Sequence, residues 1–168
     1  MTQTATANDP GKLWDLIKGT RFGMLTHRHE DGLHSHPLTT QNKTLDADGR
    51  LYFFVPKNGE IARHLVHDAS VNVAYANTDD DTYVSVTGHA KLIEDQALKE
   101  SLFTTMAKAW FPEGAKDPNL GLLAVEISSA DYWDVDETKA TQLFRMLTSA
   151  VTGKPPTDIG EHGRVVMN

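Results

Sequence analysis

The sequence predicts an α+β chain, mainly β, folded as a small antiparallel barrel with flanking helices. Two observations carry that expectation. About six segments rich in β-branched and aromatic residues follow one another at hairpin spacing, set apart by Asp-Gly and similar turn signals. The helical stretches between them are short, and they do not alternate regularly with the strands as parallel βαβ units would.

Each element follows in order. Residues 1–8 read as a flexible tail. In "DPGKLWDLIKG", Asp9 is an N-cap, Pro10 suits the first turn, Leu13, Trp14, Leu16 and Ile17 are the apolar positions, and Gly19 is the stop. "RFGMLTHRHE" and "LHSHPLTTQ" read as a hairpin around Asp31-Gly32, with Pro37 at an edge or bulge. "DADG" at 46–49 turns the chain into the strand "RLYFFV". "NGEIARHLVHD" is a short helix with Ile61, Leu65 and Val66 inward. "SVNVAYAN" and "TYVSVTGHAKLIE" are strands joined by the acidic loop "TDDD", with Gly88 as a bend or bulge. Asp95 caps a helix over "QALKESLFTTMAKAWF", with Leu98, Leu102, Phe103 and Met106 at helical spacing. "LGLLAVEISSADYWDV" is a strand pair or one bent strand, and "ETKATQLFRMLTSAV" a last helix ended by Gly153 and Pro155-Pro156. Residues 9–153 are thus one domain, and 154–168 a C-terminal tail.

Composition excludes several functions. Lys and Arg total 16 against 23 Asp and Glu, and a net charge of -7 argues against nucleic acid as a partner. No apolar run reaches the ~20 residues of a membrane span, and "MTQTATANDP" is no signal peptide. With no cysteine there is no disulfide, thiol nucleophile or thiolate metal site, and the expected compartment is the cytoplasm by default. A Ser-His-Asp signature, a Walker loop and a dinucleotide glycine fingerprint are all missing.

"HRHEDGLHSH" is the densest chemical feature. An Asp31-Gly32 turn sets Glu30 opposite Leu33, His29 opposite His34 and His27 opposite His36, so four imidazoles share one face. Such a face can hold a metal or haem. It can equally be a polar strand face at an interface, and His36, alone or with His34, can meet an anionic ligand group. No metal site is assigned on the sequence alone. Trp110-Phe111 and Tyr132-Trp133 either wall off a planar ligand or belong to the core and an interface. Asp79, Asp80 and Asp81 lack the spaced ligands of a calcium loop, and Glu94-Asp95 read as helix-start structure.

Set in order, "FGMLTHRHEDGLHSHPL", "GRLYFFVPKNGEIARHL", "SVNVAYAN", "TYVSVTGHAKLIED" and "AWFPEGAKDPNLGLLAVEISSADYWDV" resemble the pyridoxamine 5'-phosphate oxidase-like flavin-binding split barrels, in the general stress protein 26 branch. The resemblance spans about residues 12–135. It implies a six-stranded split barrel, a homodimer with FMN (or FAD) at the interface, and a stress-related oxidoreductase or flavin reductase. The family's Arg-Pro-Met segment falls on His36, Pro37 and Leu38, and the strand passing the flavin ring on Leu38, Thr39 and Thr40. Its aromatic-aromatic-Thr segment falls on Phe53, Phe54 and Val55, and its Ser-x-Lys on Gly59, Glu60 and Ile61. The phosphate-contacting Arg, Thr, Ser and Lys positions therefore read His36, Val55, Gly59 and Ile61. Cations nearby are Lys57, Lys43, Arg63 and His64, and backbone N–H groups near Asn58-Gly59 favour an anion. Two alternatives stand beside flavin binding: a non-enzymatic ligand or metal/haem carrier, and a flavin-free dimeric stress protein on the same barrel.

Overall fold

A computed structural model describes residues 4–6, 9–134 and 161–167. Six strands make the barrel: β2 (Phe22–His29), β3 (Gly32–Thr39), β4 (Arg50–Pro56), β5 (Ser70–Asn77), β6 (Thr82–Ile93) and β7 (Leu120–Asp134). They pair antiparallel in the spatial order β3-β2-β5-β6-β7-β4. The ring stays open. Between β3 and β4 there is one bridge, Thr40 opposite Phe53, and one further backbone bond, from Gln41 N–H to the Tyr52 carbonyl at 2.8 Å. That gap is the split of the expected split barrel.

Alternation builds the core. Leu51, Phe53 and Val55 of β4 face inward at 0–1% exposure, as do Leu25 of β2 and Val73 of β5. Helix α1 (Pro10–Ile17) adds Leu13 and Ile17, and its start is held by Asp9, whose carboxylate accepts from Lys12 N–H at 2.9 Å. Helix α2 (Glu60–Leu65) packs Ile61, Ala62 and Leu65 inward. Helix α3 (Gln96–Leu102) is capped by Asp95, which accepts from Leu98 N–H at 2.9 Å. Gly88 sits at a register shift between β6 and β7, the expected bulge.

Other expectations are corrected. Val66 is 81% exposed, because α2 ends a residue earlier. The helix expected over 96–111 stops at Leu102. Phe103 turns extended (ψ 129°) to pack its ring on Phe54, and Thr104-Thr105 are two β-branched residues poorly suited to propagate a helix. Ala107–Ala109 form only a 3-10 turn, and Met106 is exposed. The inner position goes instead to Lys99, whose ammonium reaches Glu94 at 3.1 Å. Of the two alternatives for residues 120–134, the single strand holds.

Both expected tails contain strands. β8 (Glu161–Val166) runs antiparallel to Ser129–Asp134, the half of β7 that lies beyond the reach of β4, and buries Val165 completely. β1 (Thr4–Thr6) adds to β8 in parallel. The helix expected over 137–151 lies outside the described residues.

The hairpin register also differs. His29 faces Gly32, His27 faces His34 and Leu25 faces His36, so the loop is Glu30-Asp31 and Gly32 opens β3. Asp31 is held in that loop by His29, whose Nδ1 lies 2.6 Å from its carboxylate. The slip is two residues. Because side chains alternate with period two, an even slip leaves every histidine on its expected face.

Candidate functional site

That shared face points toward the core side of the hairpin, where α2 covers it. His27 is 1% exposed, and the others are partly buried. α2 contributes Glu60 and His64, one helical turn apart and so on one side of the helix. Five imidazoles gather around one carboxylate. Glu60 Oε1 lies 2.7 Å from His34 Nδ1, 3.6 Å from His36 Nε2, 3.7 Å from His27 Nε2 and 4.0 Å from His29 Nε2. The rings stack as well: His29 on His34 with centroids 4.0 Å apart, and His27 on His36 at 5.2 Å.

Hydrogen bonding fixes several protons. His27 Nδ1 lies 3.1 Å from the Arg28 carbonyl, which can only accept, so Nδ1 carries the hydrogen. The same logic applies to His64 Nδ1, 3.1 Å from the Glu60 carbonyl. His34 places Nδ1 on Glu60 and Nε2 3.0 Å from Asp31, two carboxylates that both accept. Its hydrogen bond to Glu60 holds the His34 pKa above the ordinary imidazole value and the Glu60 pKa below the usual carboxylate range. Desolvation pushes His27 the other way, toward the neutral form.

The residues read from the sequence as cofactor-binding fall into three settings. Along β3 they alternate: His36 and Leu38 face inward, while Pro37 and Thr39 pair with Met24 and Phe22 on the outer face. Only the strand edge toward the split presents the whole run from His36 to Thr40. Thr40 shares a 2.7 Å hydrogen bond with the Tyr75 hydroxyl, whose burial pushes its pKa up to about 12. On β4, Phe53 and Val55 are core residues, and Phe54 packs on Phe103. Lys57 is tied to Glu94 at 2.6 Å, and Gly59 is the residue preceding α2.

Glu60 and His64 entered the sequence reading only as a spacer and as a nearby cation. Their spacing of four on a helix was the signal that they act together. The aromatic pairs divide: Phe111 and Tyr132 are core, while Trp110 and Trp133 are exposed, Trp133 with its ring stacked on His162 at 4.9 Å.

The family described as pyridoxamine 5'-phosphate oxidase like matches residues 8–157. Protein bli-3 of Neurospora crassa is 26% identical over 101 residues, 55% of this chain and 48% of that protein, so the chain spans about half of that relative. A solved structure of a general stress FMN/FAD binding protein from Xanthomonas citri is 28% identical. It covers 77% of this chain and 90% of that one, with a TM-score of 0.65. A structure described as a general stress protein 26 from Jannaschia sp. CCS1 superposes over 91% of this chain and 94% of that one. Its TM-score is 0.71, and at 22% identity it speaks for the fold.

Proposed function

Because the chain belongs to the pyridoxamine 5'-phosphate oxidase-like family, we propose that it is a general-stress-type homodimer that binds a flavin along the free edge of β3. The observation that carries this reading is the outer face of the sheet that ends in that edge. Phe22 (46% exposed) and Met24 (40%) stand there on β2, and Tyr83 (38%) and Trp133 (44%) on β6 and β7. Register makes them contiguous: Met24 faces Ala74 on β5, and Ala76 faces Tyr83, which faces Trp133. Large apolar side chains grouped on a flat sheet favour a two-fold, self-complementary contact.

The fit of a flavin is uneven. A flat heteroaromatic ring finds an edge strand with free backbone groups, Leu38 and the hydroxyl of Thr39. The phosphate does not fit the positions that the family uses. Val55 and Ile61 are buried apolar residues, Gly59 has no side chain, Lys57 is held by Glu94, and the Glu60 carboxylate stands 3.6 Å from His36. A bound flavin would bring hydride and electron transfer.

The test is retention of the visible flavin band after incubation with FMN or riboflavin and desalting. The expected result is retention of both, with riboflavin held within about tenfold of FMN, because few charge-assisted phosphate contacts remain. A colourless protein in both cases overturns the reading. The histidine cluster favours a second ligand class.

A further inference from the structure

We propose that His27, His36 and Glu60 form a binding site for a borderline divalent transition-metal ion of the Zn2+ class. The site lies on the inner face of the hairpin under α2, and the flavin reading does not require it.

The argument begins with distances. His27 Nε2 and His36 Nε2 are 3.1 Å apart, and they lie 3.7 and 3.6 Å from Glu60 Oε1. A triangle of that size has a centre about 2 Å from each corner, the Zn–N and Zn–O bond length. Ligand atoms on one edge of a tetrahedral zinc site stand about 3.3 Å apart by the same geometry. Three donors from three different elements already approximate one face of that tetrahedron.

Donor chemistry agrees. A metal-binding histidine must offer a bare nitrogen and commonly donates its other N–H to a carbonyl or carboxylate. His27 does this: Nδ1–H is committed to the Arg28 carbonyl, so Nε2 presents a lone pair, which accepts from His36 Nε2–H. Metal binding moves that His36 hydrogen to Nδ1 and frees Nε2 as the second ligand. Glu60 is oriented in the same outer-shell manner by His34, whose Nδ1 lies 2.7 Å away and whose Nε2 is anchored on Asp31. His64 repeats the His27 pattern, with Nδ1 on the Glu60 carbonyl, and forms with His29 and Glu60 a second convergent group beside the first. The first group would leave a fourth position open to an outside donor.

Charge supports a cation over an anion. The cluster holds two carboxylates, Glu60 and Asp31, with His34 hydrogen-bonded to both and His29 to Asp31, and the Glu60 carboxylate repels a phosphate. Imidazole and carboxylate together suit Zn2+, Co2+, Ni2+ and Cu2+ better than Mg2+ or Ca2+, which prefer all-oxygen sites. The inward face also explains why the four hairpin histidines are more than a polar surface: His27 is the most buried of them and sits at the corner where all three elements meet.

Chelator-stripped full-length protein is titrated with Zn2+ by equilibrium dialysis with metal analysis, and with Co2+ by visible absorption. Expected are about one Zn2+ in the tightest class per chain and an intense four-coordinate Co2+ band. His36→Asn and Glu60→Gln each weaken Zn2+ binding at least about tenfold and reduce the Co2+ band. His89→Asn, an exposed control on β6, changes neither. His27 is left intact because its burial would confound folding with binding. Thermal melts of all variants confirm folding, and Glu60→Gln, partly exposed and close in shape, keeps the test open if His36→Asn misfolds. Zn2+ affinity and Co2+ spectra unchanged in Glu60→Gln, or lost equally in His89→Asn, overturn the proposal.

Discussion

Lys99 Nζ lies 3.1 Å from Glu94 Oε2, and the lysine side chain is 5% exposed while the glutamate is 70% exposed. A buried ammonium thus reaches the surface through one carboxylate, whose other oxygen is 2.6 Å from Lys57. Hydrogen bonds from Lys57 and then Lys99 hold the Glu94 pKa below its ordinary value. Glu94→Gln leaves Lys99 without its counter-charge. Solvent screening of Glu94 puts the expected cost at the low end, about 1–2 kcal/mol by denaturant unfolding at neutral pH. The pH sign follows from the depressed pKa. The contribution is present above the unfolded carboxylate value of about 4.3 and is lost as pH falls through the lower folded value. The gap between wild type and Glu94→Gln is therefore constant near neutrality and narrows in acid; a pH-independent gap would contradict the pairing.

A Cβ at position 88 would run into the backbone carbonyl of Glu126 across the β6–β7 bulge. Backbone cannot swing aside as a side chain can. Gly88→Ala is expected to cost about 1–3 kcal/mol, read as a lower melting temperature. An unshifted melt means that the bulge relaxes freely.

Asp95 serves α3 through its cap, its carboxylate accepting from Leu98 N–H. Asp95→Ala should cost about 1 kcal/mol, and Asp95→Ser much less. Equal losses for the two would argue against capping.

Trp133→Glu and Met24→Glu each place a carboxylate on the outer sheet face. If that face joins two copies, each substitution should cost the dimer about 2 kcal/mol, roughly thirtyfold in dissociation constant. Sedimentation velocity reads this directly. A monomeric wild type, or a dimer indifferent to both changes, removes the assigned interface.

Much of this architecture is legible from local pattern. Asp9 and Asp95 announce helix starts because capping is a short-range hydrogen bond, and Gly88 marks its bulge because only a bare backbone tolerates that approach. The shared face of His27, His29, His34 and His36 survives the register slip because parity depends on alternation rather than on the turn. What the chain hides is tertiary. Gly32 looks like a turn residue and is a strand residue, since Asp31 is engaged by histidines on both arms. "EHGRVV" is short and mixed in charge, and its strand exists because the far half of β7 lacks β4 as a neighbour. Glu60 and His64 join the imidazoles only once α2 is laid across the hairpin.

The seam of the barrel acquires a second meaning from that arrangement. Backbone joins β3 to β4 at one end, at Thr40 and Phe53. Farther along β3, the joining passes to side chains: His34 and His36 reach Glu60 on the helix that follows β4. The imidazole cluster is a clasp across an unzipped edge. A clasp tightened by a bound proton or ion is expected to register as slowed amide exchange along the facing edges of β3 and β4.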